Sequence, residues 1–223
     1  MKLSELSNTS LRILSAIAML VILAVVVALE YYFPQIRAVR WLAVLVMIGA
    51  IYETIKNFRN ATNETFNAHA FYFILFFAWL ILMLVSAYFV GGRPWIMLWL
   101  LMIIVGADVG AWLFGKIFGG DKMWERLSAH KTWSGQIGGI LCGTLMSILF
   151  FMYIKPFGND IVFAILMGIS MSLLSQYGDL TASFTKRCLG VKDFGNLIPG
   201  HGGILDRFDG WIYILPLMWF FIG

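Results

Sequence analysis

The chain has 223 residues, of which 61% are hydrophobic, 16% aromatic and 13% charged, with a formal net charge of +4. That balance cannot present a polar surface to water in every direction, which excludes a soluble globular domain and makes the chain an integral membrane protein. The positive charge does not imply nucleic acid, because Lys and Arg lie in short segments between apolar runs rather than along one soluble face. Cys142 sits in an apolar run and Cys188 in a charged stretch, so both read as free thiols rather than a disulfide framework.

Crossing about 30 Å of hydrocarbon takes about 20 helical residues. By that measure the apolar runs Leu11 to Phe33, Val39 to Ile55, Ala70 to Val90, Trp95 to Gly115, Ile137 to Phe157 and Ile161 to Gly178 each predict a span. A seventh run, Trp211 to Ile222, is short and contains Pro216, so its helix is expected to begin inside the preceding charged stretch or to cross halfway. The fold expected is all-α and polytopic, with about seven transmembrane helices in a single domain over residues 1–223. The first run is longer than a signal-peptide core and is followed by Glu30, Tyr31, Tyr32 and Phe33 rather than a small-residue cleavage site, which predicts an uncleaved anchor. With seven spans, twelve Lys and Arg fall on the N-terminal side against Arg37, Arg40, Arg93 and Lys155 opposite, which predicts a cytoplasmic N-terminus.

Within the fourth run, Asp108 is an ionisable residue at membrane depth and therefore a functional candidate, against the plainer reading of a hydrogen bond to a neighbouring helix. Asp108, Trp112 and Gly115 share a helical face, and Gly106, Gly110 and Gly119 are expected to leave room for something to approach Asp108. Glu30 and Glu53 lie near span ends, where a charge is cheap, and read as structural. Gly139 and Gly143 form a small-residue pair suited to helix packing.

The sixth run leads into Ser183 to Gly210, which gathers seven charged residues, a histidine and six glycines into twenty-eight positions. Continued as a helix, it carries Asp179, Ser183 and Arg187 on one stripe with Lys186 beside them. Lys192, Asp193 and His201 follow, then Asp206 and Asp209 one helical turn apart with Arg207 between. Asp206, Asp209 and Asp179 make a hard oxygen set suited to Mg²⁺, and Lys186, Arg187, Lys192 and Arg207 suit phosphate oxygens. Gly200, Gly202 and Gly203 let backbone amides approach an anion. These are the parts of a magnesium-dependent phosphoryl or nucleotidyl transfer site; the plainer alternative is a charged loop against lipid headgroups.

The stretch closely resembles the signature of the CTP:phosphatidate cytidylyltransferases, or CDP-diacylglycerol synthases, in Ser183, Lys186, Arg187, Lys192, Asp193, Pro199, His201, Gly202, Gly203, Asp206, Arg207 and Asp209 at matching spacings. Upstream, "DVGAWLFGK" looks like that family's Asp-x-x-Ala-aromatic-x-x-Gly-basic segment, ending here at Lys116. "SAHKTWSG", containing Lys131, resembles its Ser-Pro-Lys-Lys-Thr-Trp-Glu-Gly. The resemblance covers Asp108 to Gly210. Ala129, His130 and Ser134 depart from the pattern, as does Thr185 at a usually apolar position, and the chain is shorter than most members and expected to lack N-terminal spans.

The resemblance implies attack of the phosphatidate phosphate on the α-phosphorus of CTP, giving CDP-diacylglycerol and pyrophosphate for phospholipid synthesis. It implies metal at Asp179, Asp206 and Asp209, with Asp108 a further ligand or a residue orienting one. Asp179, Lys186, Arg187, His201, Asp206 and Arg207 would be catalytic, with His201 donating to departing pyrophosphate or serving structure. Lys116, Lys131, Ser183, Lys192, Asp193, Gly202 and Gly203 would bind substrate. Mg²⁺ is the expected cofactor, with a second, monovalent cation left open. CTP, phosphatidic acid and membrane lipid are the expected partners, in a homodimer at a bacterial inner membrane with its site toward the cytoplasm, and no nucleic acid. Two alternatives differ in kind: a CTP enzyme acting on another lipid phosphate or a polyprenol, and a transporter using Asp108 and Asp179 as coupling carboxylates.

Overall fold

The computed structural model describes residues 8–60, 63–124, 128–154 and 160–222. Its elements in chain order are α1 (Asn8–Tyr32), a short 3₁₀ turn (Pro34–Ile36), α2 (Ala38–Asn60), α3 (Asn63–Gly91), α4 (Pro94–Phe118), β1 (Lys122–Trp124), β2 (Ser128–Thr132), α5 (Trp133–Ile154), α6 (Ile161–Cys188), α7 (Leu205–Phe208) and α8 (Trp211–Ile222). The all-helical reading holds apart from the antiparallel hairpin of β1 and β2, in which Lys122 pairs with Thr132 and Trp124 with Ser128.

Among the described residues, six helices are long and apolar enough to cross a membrane: Thr9–Tyr32, Pro34–Arg59, His69–Gly91, Pro94–Phe118, Trp133–Ile154 and Ile161–Cys188. The expected seventh is the 12-residue α8, about 18 Å long at 1.5 Å per residue and so shorter than the hydrocarbon layer. Nor does α8 begin inside the charged stretch, because α7 and two turn residues, Asp209 and Gly210, come before it. The sixth span runs ten residues beyond the expected Gly178. It is stopped at Gly190, whose φ of 69° no ordinary side chain adopts cheaply. There the Val191 amide donates to Lys186 O at 3.0 Å and the Gly190 amide to Arg187 O at 3.1 Å, a Schellman cap that satisfies the last carbonyls of α6. The α3 backbone departs from helical geometry at His69, where its membrane span begins.

The chain divides into two compact units, one within Met1–Gly92 and Thr185–Phe208, the other within Arg93–Phe184 and Asp209–Gly223. In the first, α2 packs on α1, α3 and α7. None of the most apolar stretch of α1 is buried by protein.

In the second unit, α4 and α5 lie against each other through small residues. A Cβ on Gly110 would stand 2.5 Å from Gly138 O, one on Gly139 2.9 Å from Ala107 O, and one on Gly143 3.0 Å from Ile103 O. The packing role read for Gly139 and Gly143 is therefore what the helices use them for. Without a hydrophobic drive between helices in lipid, such close backbone approach is a main source of association. Gly106 and Gly110 serve α5 as well, not an approach to Asp108. Two positions at roughly 100° each place Asp108 across the helix from both, and Gly106 and Gly110 are buried while Asp108 is exposed. Polar side chains add to the packing: Trp99 Nε1 donates to Ser147 Oγ at 3.1 Å, and Ser147 Oγ to Ala164 O at 2.7 Å.

Because backbone rather than a flexible side chain meets the added atoms, Gly110→Leu and Gly139→Leu should each cost about 1–3 kcal/mol through overpacking. Leu141→Ala, at a position 57% exposed, should cost much less. Thermal unfolding in a fixed detergent checks the ranking.

Candidate active site

The first unit holds the charged loop. After the cap at Gly190 the chain runs to α7 with little regular structure, and its order comes from two carboxylates. Asp206 Oδ1 pairs with Lys186 Nζ at 2.8 Å, their side chains 5% and 13% exposed. Its Oδ2 accepts the Phe194 amide at 2.8 Å and the Gly203 amide at 2.9 Å. Glu53 of α2, 3% exposed, accepts the Leu197 amide through Oε1 and the Ile204 amide through Oε2. One turn further along α2, Asn57 Nδ2 donates to Phe194 O. The structural reading of Glu53 stands, but as a buried anchor of the loop rather than an inexpensive interfacial charge.

Ile198, Pro199, Gly200 and His201 form a tight turn. The His201 amide donates to Ile198 O at 3.0 Å, and Gly200 has φ 75°, the pattern of a type II turn with Pro at its second and Gly at its third position. Arg207 donates to His201 O through Nε at 3.0 Å and Nη2 at 2.9 Å. Arg12 Nε of α1 donates to Gly200 O at 3.0 Å, and Ser15 Oγ stands 2.7 Å from His201 Nδ1. Arg187 and Lys192 are exposed and make no ion pair among the described residues. Asp193 is exposed, and its Cβ lies near Gly202. The unusual Thr185 is buried, and its hydroxyl shares a 2.6 Å hydrogen bond with Tyr72 of α3.

The second unit holds the remaining predicted residues. Asp179 Oδ2 pairs with Lys131 Nζ at 2.6 Å, with side chains 41% and 25% exposed, and Ser183 Oγ donates weakly to Asp179 Oδ1 at 3.4 Å. The stripe read from the sequence is thus a real stripe of α6. Asp108, on the exposed face of α4, lies within electrostatic reach of Asp179 and Lys131. Asp209 lies beyond the end of α7, where its Oδ1 accepts the Gly210 amide at 2.8 Å, and its carbonyl approaches Gly178. Lys116 Nζ sits 5.1 Å from the centre of the Trp112 ring. Thr132 caps α5, its hydroxyl accepting the Gly135 amide at 3.2 Å, while Ser134 Oγ donates to Gly119 O. The side chains of Ala129 and His130 lie outside the described residues.

Neither unit gathers three or more His, Cys, Asp or Glu side chains into a metal-holding group among the described residues. Mg²⁺ nevertheless needs only one or two carboxylates beside substrate phosphates and its own waters. Half-exposed Asp179 meets that demand. Asp206 presents a second carboxylate, here shared among Lys186 and the Phe194 and Gly203 amides.

A polytopic helical membrane protein with a carboxylate-anchored glycine loop and uncommitted cations is thereby defined. Residues 1–223 match the cytidylyltransferase family, and the chain belongs to it. Among curated relatives, the phosphatidate cytidylyltransferase of Staphylococcus epidermidis is 44% identical over 117 residues, covering 52% of this chain and 45% of the relative. That of Staphylococcus haemolyticus is 40% identical over 121 residues, or 54% and 46%. That of Staphylococcus aureus is 42% identical over 121 residues, again 54% and 46%. The chain thus spans about half the length of the curated relatives it matches.

Breaking the buried Lys186–Asp206 pair leaves an uncompensated charge, worth about 3–5 kcal/mol. Asp206→Ala should therefore speed hydrogen exchange at the Phe194 and Gly203 amides, whereas Glu53→Ala should speed it at Leu197 and Ile204. Mass-resolved exchange of the two variants separates the anchors.

Proposed function

We propose that the protein transfers CMP from CTP to phosphatidic acid, yielding CDP-diacylglycerol and pyrophosphate. The observation that carries this reading is α6, which brings Asp179 and Ser183, then Lys186 and Arg187, along one membrane helix into the anchored loop. The relatives named phosphatidate cytidylyltransferase support it. A phosphatidate oxygen, already anionic near neutral pH, attacks the α-phosphorus of CTP. The bond from that phosphorus to the bridging oxygen breaks, and pyrophosphate leaves with the electron pair. No side chain need abstract a proton, so the protein's part is alignment and charge neutralisation.

In this reading Arg187 and Lys192, uncommitted in the fold, grip phosphate oxygens, with Lys116, Asp193 and the amides around Gly202 and Gly203 completing the substrate contacts. Lys186 and Arg207 act through the loop they hold, and His201 faces the leaving pyrophosphate. Lys131 keeps Asp179 neutralised until substrate arrives. Asp179, Asp206 and Asp209, with Asp108 a further ligand or a residue orienting one, would hold Mg²⁺, which when bound offsets phosphate charge. The lipid tails stay among the apolar spans at a bacterial inner membrane, with the reaction on the cytoplasmic side and two copies of the chain forming the working unit.

Purified protein in mixed micelles should form CDP-diacylglycerol from CTP and phosphatidate with Mg²⁺, and should lose the activity with chelator or in Asp179→Asn. A folded protein that makes no liponucleotide overturns the reading. Arg187→Ala and Lys192→Ala should each lose a charged contact worth about 1.5–3 kcal/mol, roughly a 10- to 150-fold fall in kcat/KM for CTP. Unchanged kinetics in both would remove them from the site.

A further inference from the structure

The contact between α1 and the loop carries a consequence for the protonation of His201. Ser15 Oγ stands 2.7 Å from His201 Nδ1 and also donates to Arg12 O at 3.0 Å. A hydroxyl has one proton and two acceptor lone pairs. With that proton on the Arg12 carbonyl, Ser15 can only accept from the imidazole, so Nδ1 bears the hydrogen. Nε2, which has no hydrogen-bond partner among the described residues, is then the nitrogen left for chemistry.

The ring is anchored by more than this bond. Its backbone carbonyl is held by two guanidinium nitrogens of Arg207, and the preceding Gly200 carbonyl by Arg12. Gly200 also sits against the α1 backbone, where an added Cβ would lie 3.2 Å from the Arg12 amide nitrogen. Arg12 and Ser15, three residues apart on one helical face, therefore grip consecutive residues of the turn. In Ser-His-Asp sites the group on Nδ1 is the one that fixes tautomer and orientation, and Ser15 occupies that place. It stands on the orienting nitrogen, not where a nucleophile would be.

We infer that Ser15 is a positioning residue: it holds His201 as the Nδ1–H tautomer and points Nε2 outward, toward phosphate oxygens. Bare in that tautomer, Nε2 is an acceptor; when it takes up a proton the ring becomes a cation whose Nε2–H donates to an anion, while Nδ1 stays with α1. The inference rests on the proposed reaction only for the identity of the anion. It also gives α1 a part in the site, although almost nothing of that helix is buried.

The test uses the full chain, labelled with ¹⁵N-histidine, in lipid nanodiscs at a pH where the imidazole is neutral. The His201→Gln spectrum identifies the His201 signals. The wild type should show the proton on Nδ1, Ser15→Ala a mixture of tautomers, and Ser15→Thr the wild-type pattern. In a second set of spectra, at a lower pH where the ring is cationic, added inorganic pyrophosphate should move the Nε2 signal in the wild type. In the transferase assay Ser15→Ala should lose about 10- to 100-fold in activity, the usual cost of removing an orienting partner, and Ser15→Thr should regain it. A wild-type ring protonated on Nε2 overturns the inference without recourse to any variant, as does a Ser15→Ala protein that keeps the Nδ1–H signature. A protein that makes no liponucleotide but shows the expected tautomer and pyrophosphate response overturns the proposed reaction and supports the positioning role.

Discussion

Asp206 receives donors from three places along the chain: the Lys186 ammonium at the end of α6, the Phe194 amide within the loop and the Gly203 amide just before α7. A segment with five glycines between Leu189 and Ile204 loses more conformational entropy on ordering than most. Buried Phe194 and Leu189 offset part of that cost. Charge-assisted hydrogen bonds to buried carboxylates add to the compensation, and each is stronger than a neutral one. The same bonds give the carboxylate oxygens partners out of water. Asp206 and Glu53 thus stabilise the loop and are stabilised by it.

The cations around the loop fall into two groups as a result. Lys186 and Arg207 are committed, to Asp206 and to the His201 carbonyl, and they hold the backbone in place. Arg187 and Lys192 are exposed and unpaired among the described residues. A cluster that looks uniform as sequence is therefore divided between cations that hold the loop and cations left exposed. The second unit shows the same economy. Lys131 neutralises Asp179 through a half-exposed pair, of the kind worth little to stability.

Helical periodicity and run length made the spans legible, because a bilayer demands internally satisfied backbone and a minimum length. The α6 stripe was legible for the same reason, once the helix was continued past its apolar part. Its continuation shows that helix ends follow caps rather than hydropathy: the stop is the Schellman geometry at Gly190, not the loss of apolar residues at Gly178. Gly106 and Gly110 misled because a small residue announces a close approach without saying from which side. Glu53 and Asn57, one turn apart on an otherwise apolar helix, carried a signal of a polar partner, but nothing in their spacing named a loop some 140 residues away as that partner. The partnership of Thr185 with Tyr72, and of His201 with Ser15, is equally long-range.

The sequence by itself determined that the chain is a membrane protein, where most of its helices run, and where its charged residues cluster. Those properties follow from composition, local periodicity and residue type, which need no knowledge of distant contacts. Only the tertiary structure decided which carboxylates anchor backbone, which cations are left uncommitted and which nitrogen of His201 is held. A buried charge or a shared hydroxyl proton is assigned by the partners that fold around it, and those partners come from other helices.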